Sequence, residues 1–440
     1  MLKELSIENI HEVTNPILQH HARLYMNIHD DFMKQVKMTG IDLEQDKVED
    51  IKSIKQRLKE KGATFRNDDK SIVVNEISSA CEACQTGVGS VTSIISLKCH
   101  KKCFYCFNPN QENYDMFSVV KSDPTKELEA MFQSGKKISH VALTGGEPLL
   151  HKQEMLHFFK YVKDKSMKIH TRLYTSGDFL DENTAKQLHE IGLDEIRFSI
   201  KMEHTLDKCR YILEKISLAK QYIPDVMVEM PVIPGTLNDM KELLIELDEL
   251  NIYGINLLEF CFPYTNVEEF SKRAFKVKTP PFKVLYNYWY AGGLPIQNSE
   301  WEALKLMEFA MDQGLKLGIH YCSLENKHTG QVYQQNYPLK HDSIYKFSKR
   351  DYFLKSAKVF GEDIPRAKEI FKKRNIFLYE ENEEFGYLEF HINNIQALKG
   401  LSIDVGLSYN VVETRDGDQF IRELKMDLTT PDTFNIKEDV

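Results

Sequence analysis

The sequence has no stretch that suits a membrane span or an export signal. None of its apolar runs approaches the ~18 residues that a membrane-spanning helix needs. The first residues, MLKELSIENIHEV, alternate charged and apolar side chains and do not resemble a signal peptide. Basic residues are not in excess, because 57 Lys and Arg stand against 66 Asp and Glu, a net charge of −9. This balance disfavours a general nucleic-acid-binding protein, and we expect a soluble cytoplasmic protein with no membrane partner.

Repeats and low-complexity segments are also missing. Of the 440 residues, 42% are hydrophobic and 11% are aromatic. That share is enough for a full apolar core, which excludes disorder as the default state. At roughly 150 residues per domain, the length allows two or three domains.

Four segments differ in their residue patterns. Residues 1–75 are predicted to be helical, because their apolar residues recur every three or four positions. Residues 76–265 alternate strand and helix patterns. Residues 266–342 form an aromatic-rich accessory segment, and residues 343–440 are predicted to form a small C-terminal α+β domain.

The alternating segment contains six predicted strands with helical segments between them. Such βα units in series predict an α/β fold with a parallel sheet. Their spacing fits an open doubly wound sheet and a full or partial barrel equally well. The strands are predicted at 90–97, 140–145, 169–177, 195–202, 226–234 and 254–262.

Eight cysteines are present, and five of them fall within 26 residues. Clustered cysteines in a long cytosolic chain more often bind metal or do redox chemistry than form disulfides. Cys99, Cys103 and Cys106 form a C-x3-C-x2-C motif at the end of the first predicted strand. Three thiolates this close can hold three irons of a [4Fe–4S] cluster and leave the fourth iron open. A structural zinc more typically takes four ligands in paired C-x2-C units.

A second motif, Gly145-Gly146-Glu147-Pro148, ends the second predicted strand. Glycines allow a close approach of backbone amides and carbonyls to a ligand. The carboxylate of Glu147 can accept a hydrogen bond from an ammonium group. On its own, this segment would be interpreted as a plain turn.

Together, the two motifs resemble those of the radical S-adenosylmethionine (radical SAM) superfamily. The resemblance rests on the three cysteines, on the aromatic Tyr105 just before the last of them, and on the Gly-Gly-Glu-Pro segment. It covers residues 88–265, and both motifs occur in the family's order. It implies a partial (βα)6, TIM-like barrel, which decides between the topologies left open above.

The resemblance also implies an activity and its cofactors. The amine and carboxylate of the SAM methionyl group would chelate the open iron of a [4Fe–4S] cluster. Gly145, Gly146 and Glu147 would hold the amine, with Pro148 and Tyr105 in the same cofactor site. Reduction by a donor such as flavodoxin or ferredoxin would cleave SAM to methionine and a 5′-deoxyadenosyl radical, which abstracts hydrogen from a substrate.

Other positions match the family more loosely. Ser176, at the end of the third strand, lies where the family often contacts ribose or carboxylate. Ser199 and Lys201 share one face of the fourth strand and are further candidates for these contacts, the alternative being a solvated strand end. Arg197 shares their face but is expected to be structural. Val232–Gly235 resembles the segment that packs on adenine.

A second group of cysteines lies outside this motif. Cys81 and Cys84 form a C-x2-C, which is half a metal site. With Cys322 and Cys261 they would bind an auxiliary iron or iron–sulfur centre, the alternative being an inert turn. Cys322 is also a candidate hydrogen-atom donor to a substrate radical. Cys209 is expected in a helix core.

Candidate substrate contacts follow the barrel. Residues 288–336 combine polar and aromatic side chains, among them Tyr288, Trp289 and Tyr290. They are predicted to form a lid or substrate wall, or equally an ordinary accessory layer. Glu229 and Glu259 would face the lumen and meet a cationic group, or form structural ion pairs.

Three functions follow from these patterns. The first is a radical SAM enzyme that modifies a peptide or protein residue. The second is a radical SAM enzyme acting on a small metabolite, including a methylase. Cobalamin is disfavoured but not excluded, because the sequence lacks the D-x-H-x-x-G signature. The third is a non-catalytic metal-binding scaffold. Residues 323–440 contain no cysteine, so the seven-cysteine auxiliary domain of many peptide maturases is absent.

Overall fold

The computed structural model describes residues 2–202, 210–286, 293–338 and 344–440. Cys209 and the lid residues Tyr288, Trp289 and Tyr290 lie outside these ranges. The chain forms two compact units. One unit comprises Gly40–Pro281 and Tyr288–Gly330, and the other comprises Met1–Thr39, Phe282–Asn287 and Gln331–Val440.

The strands are numbered in chain order. They are β1 (Leu43–Gln45), β2 (Thr64–Arg66), β3 (Ser71–Val74), β4 (Ser90–Ile94), β5 (His140–Thr144), β6 (His170–Thr175), β7 (Glu195–Phe198), β8 (Asp225–Val232), β9 (Gly254–Glu259), β10 (Cys261–Phe262), β11 (Val277–Thr279), β12 (Leu294–Pro295), β13 (Gly318–Cys322), β14 (Lys346–Phe347), β15 (Leu354–Phe360), β16 (Tyr379–Asn382), β17 (Tyr387–Phe390), β18 (Val405–Arg415) and β19 (Asp418–Thr429).

The helices are numbered in the same way. They are α1 (Pro16–Met38), α2 (Val48–Glu60), α3 (Ser79–Cys84), α4 (Tyr114–Val119), α5 (Pro124–Gln133), α6 (Lys152–Lys165), α7 (Glu182–Ile191), α8 (Tyr211–Lys220), α9 (Leu237–Glu249), α10 (Val267–Lys272), α11 (Ser299–Gln313), α12 (Thr329–Asn336), α13 (Asp363–Lys373) and α14 (Ile436–Asp439). None of the described helices is both long and apolar enough to cross a membrane.

The first unit contains a nine-stranded sheet in the order β2-β3-β13-β9-β8-β7-β6-β5-β4. The seven strands from β4 to β13 run parallel. β3 is antiparallel to β13, and β2 to β3. β2 and β4 are the two edges and are not paired with each other in the described part of the chain, so the barrel is partial. The predicted α/β fold with a partial barrel is confirmed.

The sheet is wider than the six strands predicted from the sequence. Its seventh parallel strand, β13, comes from the accessory segment, and the β2–β3 hairpin comes from the region predicted as helical. β4 is shorter than predicted and ends at Ile94. Beyond it, the carbonyl groups of Ile95, Ser96 and Lys98 accept hydrogen bonds from other loops, which draws the chain out of the sheet.

Helices pack on the sheet through apolar stripes. In α6, Met155, Phe158, Phe159 and Val162 are fully buried at the spacing of one helix face. Burial of each such side chain stabilises the fold by about 1.5–3 kcal/mol. Asp181 caps the next helix, α7, by accepting from the amide of Thr184.

The second unit is built on an antiparallel sheet in the order β16-β17-β15-β18-β19, with β14 added along β15. One face carries Ala357 and Val359 and packs against α13. The opposite face carries Phe360 and packs against α1. The unit is therefore an α+β structure that includes the N-terminal helix. The four segment boundaries proposed from the sequence stay a prediction.

Candidate active site

Backbone hydrogen bonds join the Gly-Gly-Glu-Pro segment to the chain that leads into the cysteine motif. The amide of Gly146 donates to Ser96 O over 3.0 Å, and the amide of Glu147 donates to Lys98 O over 2.8 Å. A Cβ atom on Gly146 would lie 2.0 Å from Lys98 O, so only glycine fits there. Gly145 has φ +116, which also favours glycine. The glycines therefore serve a close backbone contact beside Cys99.

The loop of Cys99, Cys103 and Cys106 is further fixed by hydrogen bonds. The amide of Cys106 donates to Cys103 O over 3.1 Å, which closes a turn. Asn108 Nδ2 donates to Gly145 O over 2.9 Å and ties the loop to the glycine segment. All three cysteines are free thiols and are exposed or half-buried.

Asp178 anchors the same loop to the end of β6. Its carboxylate pairs with His100 Nε2 at 2.9 Å and Lys101 Nζ at 3.0 Å, and accepts from the Tyr211 hydroxyl at 2.7 Å. Burial raises the pKa of Asp178, but the hydrogen bonds from Ser176, Tyr211, Lys101 and His100 outweigh it and leave the pKa well below its ordinary value. The carboxylate is therefore ionised at neutral pH.

Glu147 joins the ends of β5 and β6. It is 2% exposed. Oε1 accepts from the Leu149 amide at 3.1 Å and the Thr175 hydroxyl at 2.6 Å. Oε2 accepts from the amide and hydroxyl of Ser176 at 2.8 and 2.5 Å. Both oxygens are thus used inside the protein, and the side chain holds the two strand ends together.

Ser199, Lys201 and Tyr105 meet at the end of β7. Lys201 Nζ donates to Ser199 Oγ over 3.0 Å and lies 6.0 Å from the centre of the Tyr105 ring. Burial raises the pKa of the Cys99 thiol. The carboxylate of Glu147 also raises this pKa, and the ammonium group of Lys201 lowers it. The predicted cofactor residues therefore converge around Cys99, at the carboxyl ends of the parallel strands, where βα folds place their sites.

A buried polar network fills the barrel below this end. Arg197 donates to Glu229 Oε2 at 2.5 Å and also binds Glu195. Asn256 Nδ2 donates to Glu229 Oε2 at 2.7 Å, and the His320 ring contacts Asn256 Oδ1 at 3.1 Å. Burial lowers the pKa of His320 to about 4, so it is neutral at pH 7. Arg197 and Glu229 thus form a structural ion pair.

The second cysteine group lines the same lumen. Cys81 Sγ accepts from Arg197 Nη2 and from Asn256 Nδ2, both at 3.3 Å. Burial, against the hydrogen bond from Asn326 and together with the Cys84 and Cys81 thiols, raises the pKa of Cys322 to about 12. The Cys322 sulfur also accepts from Asn326 Nδ2 at 3.3 Å.

Cys261 and Glu259 each have charged neighbours. Burial raises the pKa of Cys261, and its charged neighbours are Lys327 and Glu259 rather than thiols. Glu259 forms an ion pair with Lys278 at 2.6 Å. The convergence of Cys261 with the other thiols, which the sequence left open, stays a prediction.

The sequence profile of the radical SAM superfamily matches residues 93–247, which span β4 to α9 and include both motifs. This part of the chain is a radical SAM domain. Such a domain implies an enzyme that binds a [4Fe–4S] cluster and SAM.

Several known proteins are similar to this radical SAM chain. One from Methanocaldococcus jannaschii, provisionally named a glycyl-radical enzyme activating enzyme, is 29% identical over 56% of this chain and 64% of its own length. One from Methanococcus maripaludis, provisionally named a GTP 3′,8-cyclase, is 31% identical over 27% of this chain and 37% of its own length. The chain thus spans less than two thirds of these curated relatives. The crystal structure of Streptococcus suis SuiB bound to precursor peptide SuiA is 14% identical, with a TM-score of 0.39 over 66% of this chain and 56% of that one.

The cysteine loop fits the cluster that radical SAM enzymes bind. Cys99, Cys103 and Cys106 are three free thiols on one loop. A [4Fe–4S] cluster with one open iron takes three thiolates, each on a separate iron, so the donor set of this loop fits the cluster.

Sequence analysis missed two residues beside the site. Asp178 lies two residues after Ser176, and its anchoring role depends on residues distant in sequence. Arg172 is 6% exposed and, among the described residues, donates no hydrogen bond and forms no ion pair. A signal for it was present, because His170, Arg172 and Tyr174 alternate along a strand that is otherwise apolar.

Proposed function

We infer that this protein is a radical SAM enzyme that acts on a residue of a peptide or protein. The observation that carries the radical SAM chemistry is the pair of backbone hydrogen bonds that join the Gly-Gly-Glu-Pro segment to the chain leading into Cys99. When bound, the cluster and SAM supply an electron and a radical that removes hydrogen from the substrate. A protein substrate is supported by the relative provisionally named a glycyl-radical enzyme activating enzyme.

The chain's own residues have distinct roles in this proposal. Cys99, Cys103 and Cys106 bind three irons of the cluster. The backbone of Gly145 and Gly146 binds the methionyl amine, while Glu147 and Pro148 hold that backbone in place. Ser176, Ser199 and Lys201 face the carboxylate and ribose of SAM, and Tyr105 packs beside Lys201. A flavodoxin or ferredoxin supplies electrons.

We assign a second metal centre to Cys81, Cys84 and Cys322. The sulfurs of Cys81 and Cys322 each accept a hydrogen bond from a side-chain amide, that of Asn256 and that of Asn326 respectively. The Cys81 sulfur also accepts one from Arg197. Hydrogen bonds to ligand sulfurs and nearby positive charge stabilise thiolates. Burial raises the pKa of Cys84, and the positive charge of Arg172 acts against that rise. If Cys322 binds no metal, we propose that its half-buried thiol donates a hydrogen atom to a substrate radical.

A small-molecule substrate is the second candidate function. It is favoured by the relative provisionally named a GTP 3′,8-cyclase. Substrates that carry deuterium at the candidate position distinguish the two functions. The deuterium moves into 5′-deoxyadenosine only when the radical abstracts it from the true substrate. A labelled peptide that transfers deuterium supports the first function, and a labelled metabolite that does so supports the second.

The first experiment is an anaerobic count of iron and sulfide per chain. We expect about four irons from the cysteine motif plus those of the second centre. The variant with Cys99, Cys103 and Cys106 changed to alanine should keep only the second centre, and C81A/C84A only the first. C261A is the matched control and should keep both. Absence of SAM cleavage by the fully loaded, reduced wild type would instead favour a non-catalytic scaffold.

A further inference from the structure

Three metal-ligating side chains meet at the end of the barrel opposite the cysteine loop. His170, Glu195 and Asp225 are the first residues of the neighbouring strands β6, β7 and β8. Each offers one ligand atom, and these three atoms all lie within 4.8 Å of one another. In the sheet register, Glu195 stands directly beside Asp225. The group is thus formed by the packing of adjacent parallel strands.

The ligand atoms of this group are poorly satisfied by the protein. Within the described chain, neither ring nitrogen of His170 makes a hydrogen bond. Nδ1 is buried without a partner, and Nε2 lies 3.7 Å from Glu195 Oε2, beyond hydrogen-bonding distance. Asp225 is half-buried, and its carboxylate accepts no hydrogen bond from any described residue. A buried polar atom without a partner, such as His170 Nδ1, is rare in native structures and requires an explanation.

Glu195 is partly satisfied but still offers an oxygen. It is 1% exposed. Arg197 binds Oε1, and the Ser78 hydroxyl donates to Oε2 at 2.5 Å. A carboxylate oxygen carries two lone pairs, so Oε2 retains one for a further ligand contact. That oxygen is the one that faces His170.

Asp225 lies among other carboxylates. Burial, followed by the carboxylates of Glu195, Asp194 and Glu76, raises its pKa to about 6. The nearby basic groups are engaged elsewhere or act on other residues. Arg197 binds Glu195 and Glu229, and Lys163 binds Asp194. Arg172 acts on His170 and Glu195.

We propose that His170, Glu195 and Asp225 bind one divalent transition-metal ion. One imidazole nitrogen and two carboxylate oxygens form a ligand set suited to Mn²⁺, Fe²⁺ or Zn²⁺, whereas Ca²⁺ and Mg²⁺ take oxygen ligands alone. The ion ties the amino-terminal ends of β6, β7 and β8 together. It is structural rather than catalytic, because sites in βα barrels lie at the opposite end of the strands. The proposal does not depend on the radical SAM function or on the second thiol group.

A proton is the alternative occupant of this group. Glu195 and Asp225 would then share one proton, as two close carboxyl groups do. The two occupants make opposite predictions for D225N. If a metal ion is bound, D225N removes one of its ligands and metal binding is lost. If a proton is shared, D225N replaces one of the two carboxyl groups by a neutral amide, which relieves charge repulsion and stabilises the chain.

The test is a titration of the full chain, carrying its iron–sulfur cluster, with Mn²⁺. Mn²⁺ is chosen because thiolates are poor ligands for it, so Cys81 and Cys84 do not compete. Bound ion is measured by loss of the free Mn²⁺ electron paramagnetic resonance signal, and Tm is measured with and without the ion. We expect about one bound Mn²⁺ per chain and a higher Tm in its presence.

Matched variants decide between the occupants. H170Q and D225N should each weaken Mn²⁺ binding at least about tenfold and lose the rise in Tm. H140Q is the control, because the His140 ring lies 5.3 Å from that of His170 yet His140 is not in the group. It should bind as the wild type does. The proposal is wrong if the wild type binds no Mn²⁺ at millimolar concentration, or if D225N binds it equally well. A metal-independent rise in the Tm of D225N would assign the group to a shared proton.

Discussion

Cys99, Cys103 and Cys106 lie on a loop held largely by backbone contacts, whereas Cys81, Cys84 and Cys322 lie among buried charged side chains. The loop is anchored through Gly146, Glu147 and Asp178. The lumen group is embedded in ion pairs that also hold strands together. Changes near the loop should therefore act mainly on cofactor binding, while changes near the lumen should act mainly on folding.

The largest expected effect is on activity. Substitution of Cys99 by alanine removes one of three iron ligands, and we expect SAM cleavage to fall to the detection limit. The measurement is 5′-deoxyadenosine formed anaerobically with a strong reductant. Since C99A leaves the lumen network intact, its Tm should match that of a cluster-free wild-type sample. Substantial activity in C99A would show that the cluster is held elsewhere.

The next largest effect is on stability, in the lumen. Arg197→Met leaves Glu195 and Glu229 buried without their cation, which should lower the free energy of unfolding by about 3–5 kcal/mol. Chemical denaturation of the cluster-free protein measures it. The matched control is Arg172→Met, at a buried arginine that forms no ion pair among the described residues, and it should cost much less. Equal losses in the two variants would contradict the ion-pair interpretation.

Gly146→Ala tests the backbone contact beside the loop. Its Cβ would lie 2.0 Å from Lys98 O, so the segment must move, at a cost of about 1–3 kcal/mol. We also expect lower iron content, because the displaced segment leads directly into Cys99. Gly62→Ala is the control, at a glycine with open space around it, where only its left-handed conformation costs about 1 kcal/mol. Unchanged iron content in G146A would separate the contact from cluster binding.

The smallest effect is expected at Asp178. Asp178→Asn weakens the hydrogen bonds from His100 and Lys101, so chelators should remove iron several-fold faster with little change in Tm. The pKa of Asp178 is lowered in the folded state, so its stabilising contribution is present above its unfolded pKa of about 3.9 and is lost as pH falls toward the folded value. Iron loss from the wild type should accelerate below about pH 4, and in D178N this acceleration should be weaker.

Sequence analysis predicted the features of this molecule that depend on short, contiguous stretches of sequence. The C-x3-C-x2-C and Gly-Gly-Glu-Pro segments are contiguous, and strand and helix periods span few residues, so the α/β fold could be predicted. It could not predict that β13 extends the parallel sheet or that residues 64–74 form a hairpin at its edge. β13 pairs with β3 across more than 200 positions and with β9 across more than 60, and local patterns carry little information about such pairings.

The same limit applies to the site. Arg197 was expected to be structural. Its contact with Cys81 could not be predicted, because that contact depends on where the short helix α3 lies. Asp178 and Asn256 gain their roles only from partners on other elements. The alternation of Arg197, Ser199 and Lys201 indicated a shared polar face on the fourth predicted strand, whereas the similar alternation on β6 was missed. Which of those side chains meet could be read only from the folded chain.

The contact between Gly146 and Lys98 has a consequence for how this protein can change by mutation. Lys98 takes part through its carbonyl oxygen, which every amino acid possesses. Position 98 is therefore free to vary in charge and size as far as this contact is concerned, whereas position 146 admits a single residue type. The two residues of this contact therefore differ in their tolerance to substitution. A saturation library of both positions should recover many residues at position 98 and only glycine at position 146.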